Sequence, residues 1–248
     1  VGYPNGIEQK KGQFFDSQLG LANGLLQNPH NESLREAIRT ERVSAKDLYT
    51  QLLRLIYRFL FLIVTEERDL IYPELKNEQQ LRFKRIYYRY YSIDRLRQLA
   101  GKRTYMDESK DDLWENLKAT FLLFENEFYG SKLGIQSLAS GLFAADAIDH
   151  LLSLRLDNKT LINTIRGLCY FINPVSGNTV RVNYSDLDVE EFGSVYEGLL
   201  EFEPYIQANG QSFYFGFKAG SDRGNSGSHY TPEELCKPLI TNSLEHKI

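Results

Sequence analysis

Residues 82–91 read Arg82-Phe-Lys-Arg-Ile-Tyr-Tyr-Arg-Tyr-Tyr91, and Arg95 and Arg97 follow closely. Cations interleaved with tyrosines suit a polyphosphate backbone. Arginine and lysine neutralise phosphates and release counterions, while tyrosine rings pack on sugars or stack on exposed bases. On that reading the DNA-contacting side chains are Arg82, Lys84, Arg85, Tyr88, Arg89 and Tyr91. The same residue types have a purely structural use, in which half-buried tyrosines hold a core and the cations form a solvated face or pair with acids elsewhere. The net charge of -4 excludes a wholly basic nucleic-acid coat, so any DNA contact is regional.

Other chemistry is sparse. The chain has no GxSxG, no phosphate-cradling GxxxxGK[ST] and no HExxH, and its histidines, His30, His150, His229 and His246, are widely spaced. Glu74-Leu-Lys76 and Glu108-Ser-Lys110 match half of a metal-dependent nuclease signature, but neither sits on a readable strand. Cys169 and Cys236 lack the spacing of a zinc site and read as reduced thiols. No metal is therefore expected. Catalysis within these residues is not expected either, because a self-contained enzyme brings together a convergent polar cluster.

Helical periodicity dominates the first two thirds. Ser44 and Asp47 make a capping-box start, and Leu48, Leu52, Leu55, Ile56, Phe59 and Ile63 recur at helical spacing until Glu66-Glu67-Arg68. Within this helix residues 52–64 are the most hydrophobic stretch. Arg54 and Arg58 interrupt it, and it falls short of the roughly 20 apolar residues a bilayer span needs, so it reads as a core helix. The basic stretch lies on a second helix over 78–99 that Ser92 could cap and split in two. A third helix covers 111–128, with Leu113, Leu117, Phe121, Phe124 and Phe128 on one face, a loop and helix fill 134–152, and Asn158 is a candidate cap for a helix through Leu168.

At about residue 172 the pattern becomes mixed. Asn173-Pro-Val-Ser-Gly-Asn178 is turn chemistry, 179–184 alternates as a short strand, and a helix is expected over 189–202. Asn209-Gly210 then joins 205–208 to 211–217 as a hairpin, with Phe213, Phe215 and Phe217 on one face. Residues 219–228 read as a flexible connection, and Thr231-Pro-Glu-Glu opens a helix. The expected class is α+β, predominantly α-helical. It comprises a helical domain over 1–172, a mixed connector with the hairpin over 173–218, and a flexible lead with one helix over 219–248.

Two segments carry a resemblance: Phe192-Gly-Ser-Val-Tyr-Glu-Gly-Leu-Leu-Glu201 and, after the hairpin, Gly227-Ser-His-Tyr-Thr-Pro-Glu-Glu-Leu235. Together they resemble the stretch just upstream of the catalytic domain in large adenine-specific DNA methyltransferases, including single-chain type II restriction-modification enzymes and PglX-like phage-defence enzymes. Echoes at Tyr57-Arg-Phe-Leu-Phe-Leu62, Tyr91-Ser-Ile-Asp-Arg-Leu-Arg97, Asp112-Leu-Trp114 and Gly141-Leu-Phe143 extend the similarity over residues 45–240. The resemblance implies that Tyr230, Thr231 and Pro232 help hold the methionine part of S-adenosylmethionine. A helix N-terminus is compatible with binding a carboxylate there. His229 stands where the family more usually has an aromatic.

The family's Gly-rich cofactor loop and Asn-Pro-Pro-Tyr motif do not occur in these residues. The expectation is therefore a segment of a site-specific adenine-N6 methyltransferase that serves as scaffold and DNA contact and is not catalytic alone. Its expected partners are duplex DNA and a methyltransferase domain that follows it. A protein-interaction module of a defence complex is the rival reading. Val1 in place of Met suggests a processed or excised chain, and residues 1–12 lack the apolar core of a secretory signal, which places the chain in the cytoplasm and away from membranes.

Overall fold

A computed structural model describes residues 4–102, 106–138, 141–173, 175–185, 202–210 and 212–219. The fold is α+β and predominantly helical. It opens on α1 (Pro4–Gln27), a helix the sequence pattern does not announce, because only its last turns are regularly apolar. Those turns put Leu21, Ala22, Leu25 and Leu26 into the core. Gly24 lets α1 cross α9 (Asn158–Cys169) closely: a Cβ there would lie 2.4 Å from Thr160 Cγ2. After α2 (Glu32–Arg39) comes the central helix α3 (Ala45–Glu67), begun by the expected reciprocal bonding of Ser44 and Asp47.

By length and mean hydropathy α3 could cross a membrane, yet most of its apolar face is packed inside the fold. Leu52, Leu55, Ile56, Phe59 and Ile63 are all buried. Arg58, an interruption in the hydropathy pattern, is fully buried beside Glu125. Its guanidinium donates to the Leu142 and Ala144 carbonyls at 2.8 and 3.0 Å and lies 5.1 Å from both the Phe121 and Phe143 rings. A buried charge that is paired and hydrogen-bonded is tolerated inside a core, and here it fixes the loop that carries Leu142, Phe143 and Ala144.

The basic stretch forms α4 (Glu78–Tyr90) and α5 (Ile93–Lys102), broken at Ser92, whose Oγ accepts from Arg95 N at 3.2 Å. Then follow α6 (Asp112–Glu125), α7 (Glu127–Gly130), a 3-10 turn (Ser131–Leu133) and α8 (Asp149–Leu152). Asp157, not Asn158, caps α9, accepting from Thr160 N at 2.8 Å. Asn158 is buried and tied to α6 instead, donating to Asp112 Oδ1 at 2.9 Å and accepting from Leu113 N at 3.2 Å. A cap must stand just outside the helix to reach its free N–H groups, and the aspartate occupies that place.

Two antiparallel hairpins complete the described fold. Strand β1 (Tyr170–Ile172) pairs with β2 (Thr179–Arg181) across the expected turn. Strand β3 (Phe202–Asn209) pairs with β4 (Ser212–Ala219), with Gly210 at φ +63° in the connecting turn. Strands β3 and β4 are longer than the pattern suggested, whereas β2 ends at Arg181, short of the strand expected through Tyr184. Tyr170, the first residue of β1, already pairs with Arg181 and leaves 182–184 without a partner strand among the described residues. Phe213 and Phe215 are buried in the same apolar cluster as α1 and α3, and Phe217 packs against it. The Asn23 side chain pairs with the Phe215 backbone like an added strand, donating to its carbonyl at 3.1 Å and accepting from its N–H at 2.9 Å. The helix expected over 189–202 lies outside the described residues except Phe202, which opens β3.

Candidate nucleic-acid interface

At about 100° per residue, Arg82, Arg85 and Arg89 fall within roughly 60° of one another on α4, opposite the buried Tyr87. All three are exposed, and none makes an ion pair among the described residues. Arg89 lies 5.4 Å from the ring of its exposed neighbour Tyr90. Glu78 opens the same face one turn earlier and is not bonded to Arg82. The result is a short ridge of three guanidinium groups without an ion pair among the described residues, a spacing suited to successive phosphates.

The other candidate residues point elsewhere. Lys84 bridges to Asp69 at 2.6 Å and covers the Tyr88 ring at 5.9 Å. Tyr88 is half-buried and donates to the Glu66 carbonyl at 3.2 Å, and Tyr91 packs against the core while its carbonyl accepts from Thr120 Oγ1 at 2.7 Å. Arg95 donates to Asn116 Oδ1 at 3.2 Å. Arg97 is buried, donating to Glu67 at 2.6 Å and to the Val182 carbonyl at 3.2 Å. The structure thus divides the stretch into an outward ridge and an inward group of residues committed to packing.

What seats the ridge is a carboxylate that reads in the sequence only as a helix terminator. Glu66 is buried at the end of α3, where its Oε1 accepts from Tyr87 Oη at 2.7 Å and from Ile93 N at 2.8 Å. Its Oε2 accepts from Asp94 N at 2.8 Å. One side chain therefore holds the back of α4 and caps the start of α5, at the positive end of that helix dipole. Among the described residues no cation neutralises it; burial outweighs the three donors and pushes its pKa up to about 7, and Asp94 adds to the rise. Burial and the adjacent Glu66 also hold the Tyr87 hydroxyl well above its ordinary value. Next door, Glu67 accepts from Arg97 at 2.6 Å, Arg181 at 3.1 Å and Tyr184 N at 2.7 Å, tying α3 to α5 and β2.

Among the described residues no group of His, Cys, Asp and Glu is arranged to hold a metal ion. Glu74 and Lys76 bond each other at 3.0 Å on the surface, and Glu108 is bonded to Lys159, so the glutamates of both ExK triplets are used in ion pairs. An open groove of about 450 Å³ beside Phe61, Tyr72, Phe124 and Leu138 is lined mainly by apolar side chains. Cys169 is free and buried, with its thiol pushed up to about 12 by that burial, which makes it a packing residue rather than a nucleophile. Tyr230, Thr231 and Pro232, the residues expected to meet S-adenosylmethionine, lie outside the described residues, as do Cys236 and the connection over 220–228. No protein-family model, curated protein or solved structure matches this chain.

Proposed function

We propose that this chain is the scaffold and DNA-contacting segment of a cytoplasmic adenine-N6 DNA methyltransferase of the restriction-modification or phage-defence kind. The resemblance of residues 192–201 and 227–235 to the lead into that catalytic domain supplies the family. The single structural observation that supports the reading is the unpaired ridge of Arg82, Arg85 and Arg89. In the whole enzyme the methyl donor is S-adenosylmethionine, held by Tyr230, Thr231 and Pro232 together with a following methyltransferase domain, and the ridge sets that domain on duplex DNA through backbone phosphates. Phosphate contacts fix register without reading sequence, so target choice belongs elsewhere in the enzyme.

The test is fluorescence anisotropy of a labelled duplex against the chain over a range of salt concentrations. Three lost phosphate contacts should flatten the slope of log K against log salt by about 2.7, so replacing the three arginines with alanine is expected to weaken binding of every duplex alike and to reduce the slope by that amount. Unchanged affinity and slope would remove the DNA role and favour docking onto a defence protein, since apolar docking is insensitive to salt.

A further inference from the structure

Two aromatic side chains stand out of the fold near the corner that packs against Phe83 of α4. Phe128 is 64% exposed and Tyr129 44% exposed, their rings 5.3 Å apart and close to perpendicular. Lys132 reaches over both, its Nζ 4.1 Å from the Phe128 centroid and 5.7 Å from that of Tyr129. Others, such as Phe61, Leu122 and Tyr214, stand on longer helices or strands. These two stand on a corner whose backbone has little freedom to fold them away.

The corner is fixed from several sides. Asn126 caps it, accepting from Phe128 N at 2.9 Å through its side chain and from Tyr129 N and Gly130 N through its carbonyl. Ile135 N donates back to the Gly130 carbonyl at 2.9 Å. Gly130 fits because nothing else would: an added Cβ would meet the Leu123 and Ile135 carbonyl oxygens at 2.5 and 2.6 Å. Gly134 turns the chain at φ +64° directly against the Phe83 ring of α4, and Tyr72 Oη donates to the Leu133 carbonyl at 2.8 Å. Rigid presentation removes the ordering cost that a mobile aromatic would incur on binding.

We propose that Phe128, Tyr129 and Lys132 form a stacking platform for an unpaired base next to the duplex held by the α4 arginines. This rests on the DNA reading above and extends it: the preferred partner is DNA with a single-stranded or distorted stretch, not a uniform duplex. The chemistry is specific to that partner. A π-face accepts any unpaired base, whereas paired bases keep their faces stacked within the helix and cannot reach it. Lys132, already lying on the Phe128 ring, supplies the cation for the flanking phosphate, and the arginine ridge lies on the helix that buttresses the corner.

The experiment compares a blunt duplex with the same duplex carrying a short single-stranded thymidine tail, titrated by anisotropy against the full chain. The chain is expected to bind the tailed probe more tightly. Phe128→Ala with Tyr129→Ala should cost that probe about tenfold or more and leave the blunt duplex unchanged, and Lys132→Gln should lower the tailed-probe salt slope. These side chains are on the surface, so unchanged thermal melting of the variants checks that folding is not the cause. Equal loss on both probes, or no loss on the tailed one, overturns the platform. The Arg82, Arg85 and Arg89 variant separates the two claims: if it leaves blunt-duplex binding intact the duplex reading fails, whatever the aromatic variants do. Binding of neither probe would end both.

Discussion

Replacing Glu66 with glutamine should change the pH dependence of stability more than stability itself. In the folded chain the carboxyl has a pKa of about 7, against an ordinary 4.5 once the chain unfolds. Below 4.5 both states hold the proton and the group is neutral in its pocket. Between 4.5 and about 7 the unfolded chain has released the proton while the folded one retains it, so stability falls as pH rises, by up to about 1.4 kcal/mol per pH unit. Above 7 both states are ionised and the loss is complete, at about 3 kcal/mol. Glutamine cannot ionise. Its carbonyl can still accept from Tyr87 Oη and Ile93 N, but its amide would face Asp94 N, a donor against a donor, at a cost of about 1–3 kcal/mol at every pH. Urea unfolding at intervals from pH 4.5 to 7.5 should therefore show the variant weaker at the acid end and level with or above the wild type at neutral pH. Because all other titrating groups are common to both chains, the difference curve isolates Glu66. Parallel curves would show that Glu66 titrates alike folded and unfolded, and would refute the argument that burial outweighs its three donors.

Two glycines of α1 should respond in opposite directions to alanine. Gly24→Ala drives a Cβ into Thr160, which cannot swing aside without breaking its 2.8 Å bond to Asp157, and should cost about 1–3 kcal/mol in urea unfolding. Gly20→Ala meets nothing within 4 Å and should stabilise by about 0.5–1 kcal/mol through helix propensity. Arg58→Met leaves Glu125, whose side chain is 6% exposed, as a buried carboxylate without its cation, and should cost about 3–5 kcal/mol. Adding Glu125→Gln should recover part of that loss, and failure to recover any would show that the packing of Arg58 between Phe121 and Phe143, not its charge, is what matters.

The parts of the fold that were legible in the sequence are those whose signal is local. The Ser44–Asp47 box, the break at Ser92 and the Asn209-Gly210 turn each satisfy backbone groups within a few residues, so residue type and spacing sufficed. The rest depends on partners distant in the chain. Helix α1 is held by α9 and by β4 through Asn23, whose bond to Phe215 spans most of the sequence, and nothing near residue 23 announces it. Arg58 reads as a flaw in an apolar run because its five partners come from residues 121–144. Glu66 reads as the end of a helix because its donors belong to the next two helices. For the candidate site, periodicity placed Arg82, Arg85 and Arg89 on a helix but could not say which of the neighbouring cations and tyrosines turn inward. It set Phe128 on the apolar face of one continuous helix with Phe121 and Phe124, because it could not see that the helix ends at Glu125 and that Asn126 starts a new turn which leaves Phe128 and Tyr129 exposed.

That inward commitment also explains how a chain of net charge -4 presents a basic face. The acids nearest the ridge are already engaged. Glu66 is committed to Tyr87 and the start of α5, Glu67 to Arg97 and Arg181, Asp69 to Lys84, and Asp94 to Arg181 and Gln98. Each of these acids is held by its own donor and is not available to fold over α4 and neutralise the arginines. Glu78, at the start of the helix, is the acid left on that face, one turn from Arg82 and roughly three from Arg89. A local positive potential on an acidic protein therefore arises here from where the carboxylates are bonded, not from an excess of arginine. Releasing one of them, as Lys84→Ala would release Asp69, should weaken DNA binding even though Lys84 itself points away from the ridge. If that variant bound duplex as tightly as the wild type, at low salt where such long-range effects are least screened, the engaged acids would have no part in keeping the ridge basic.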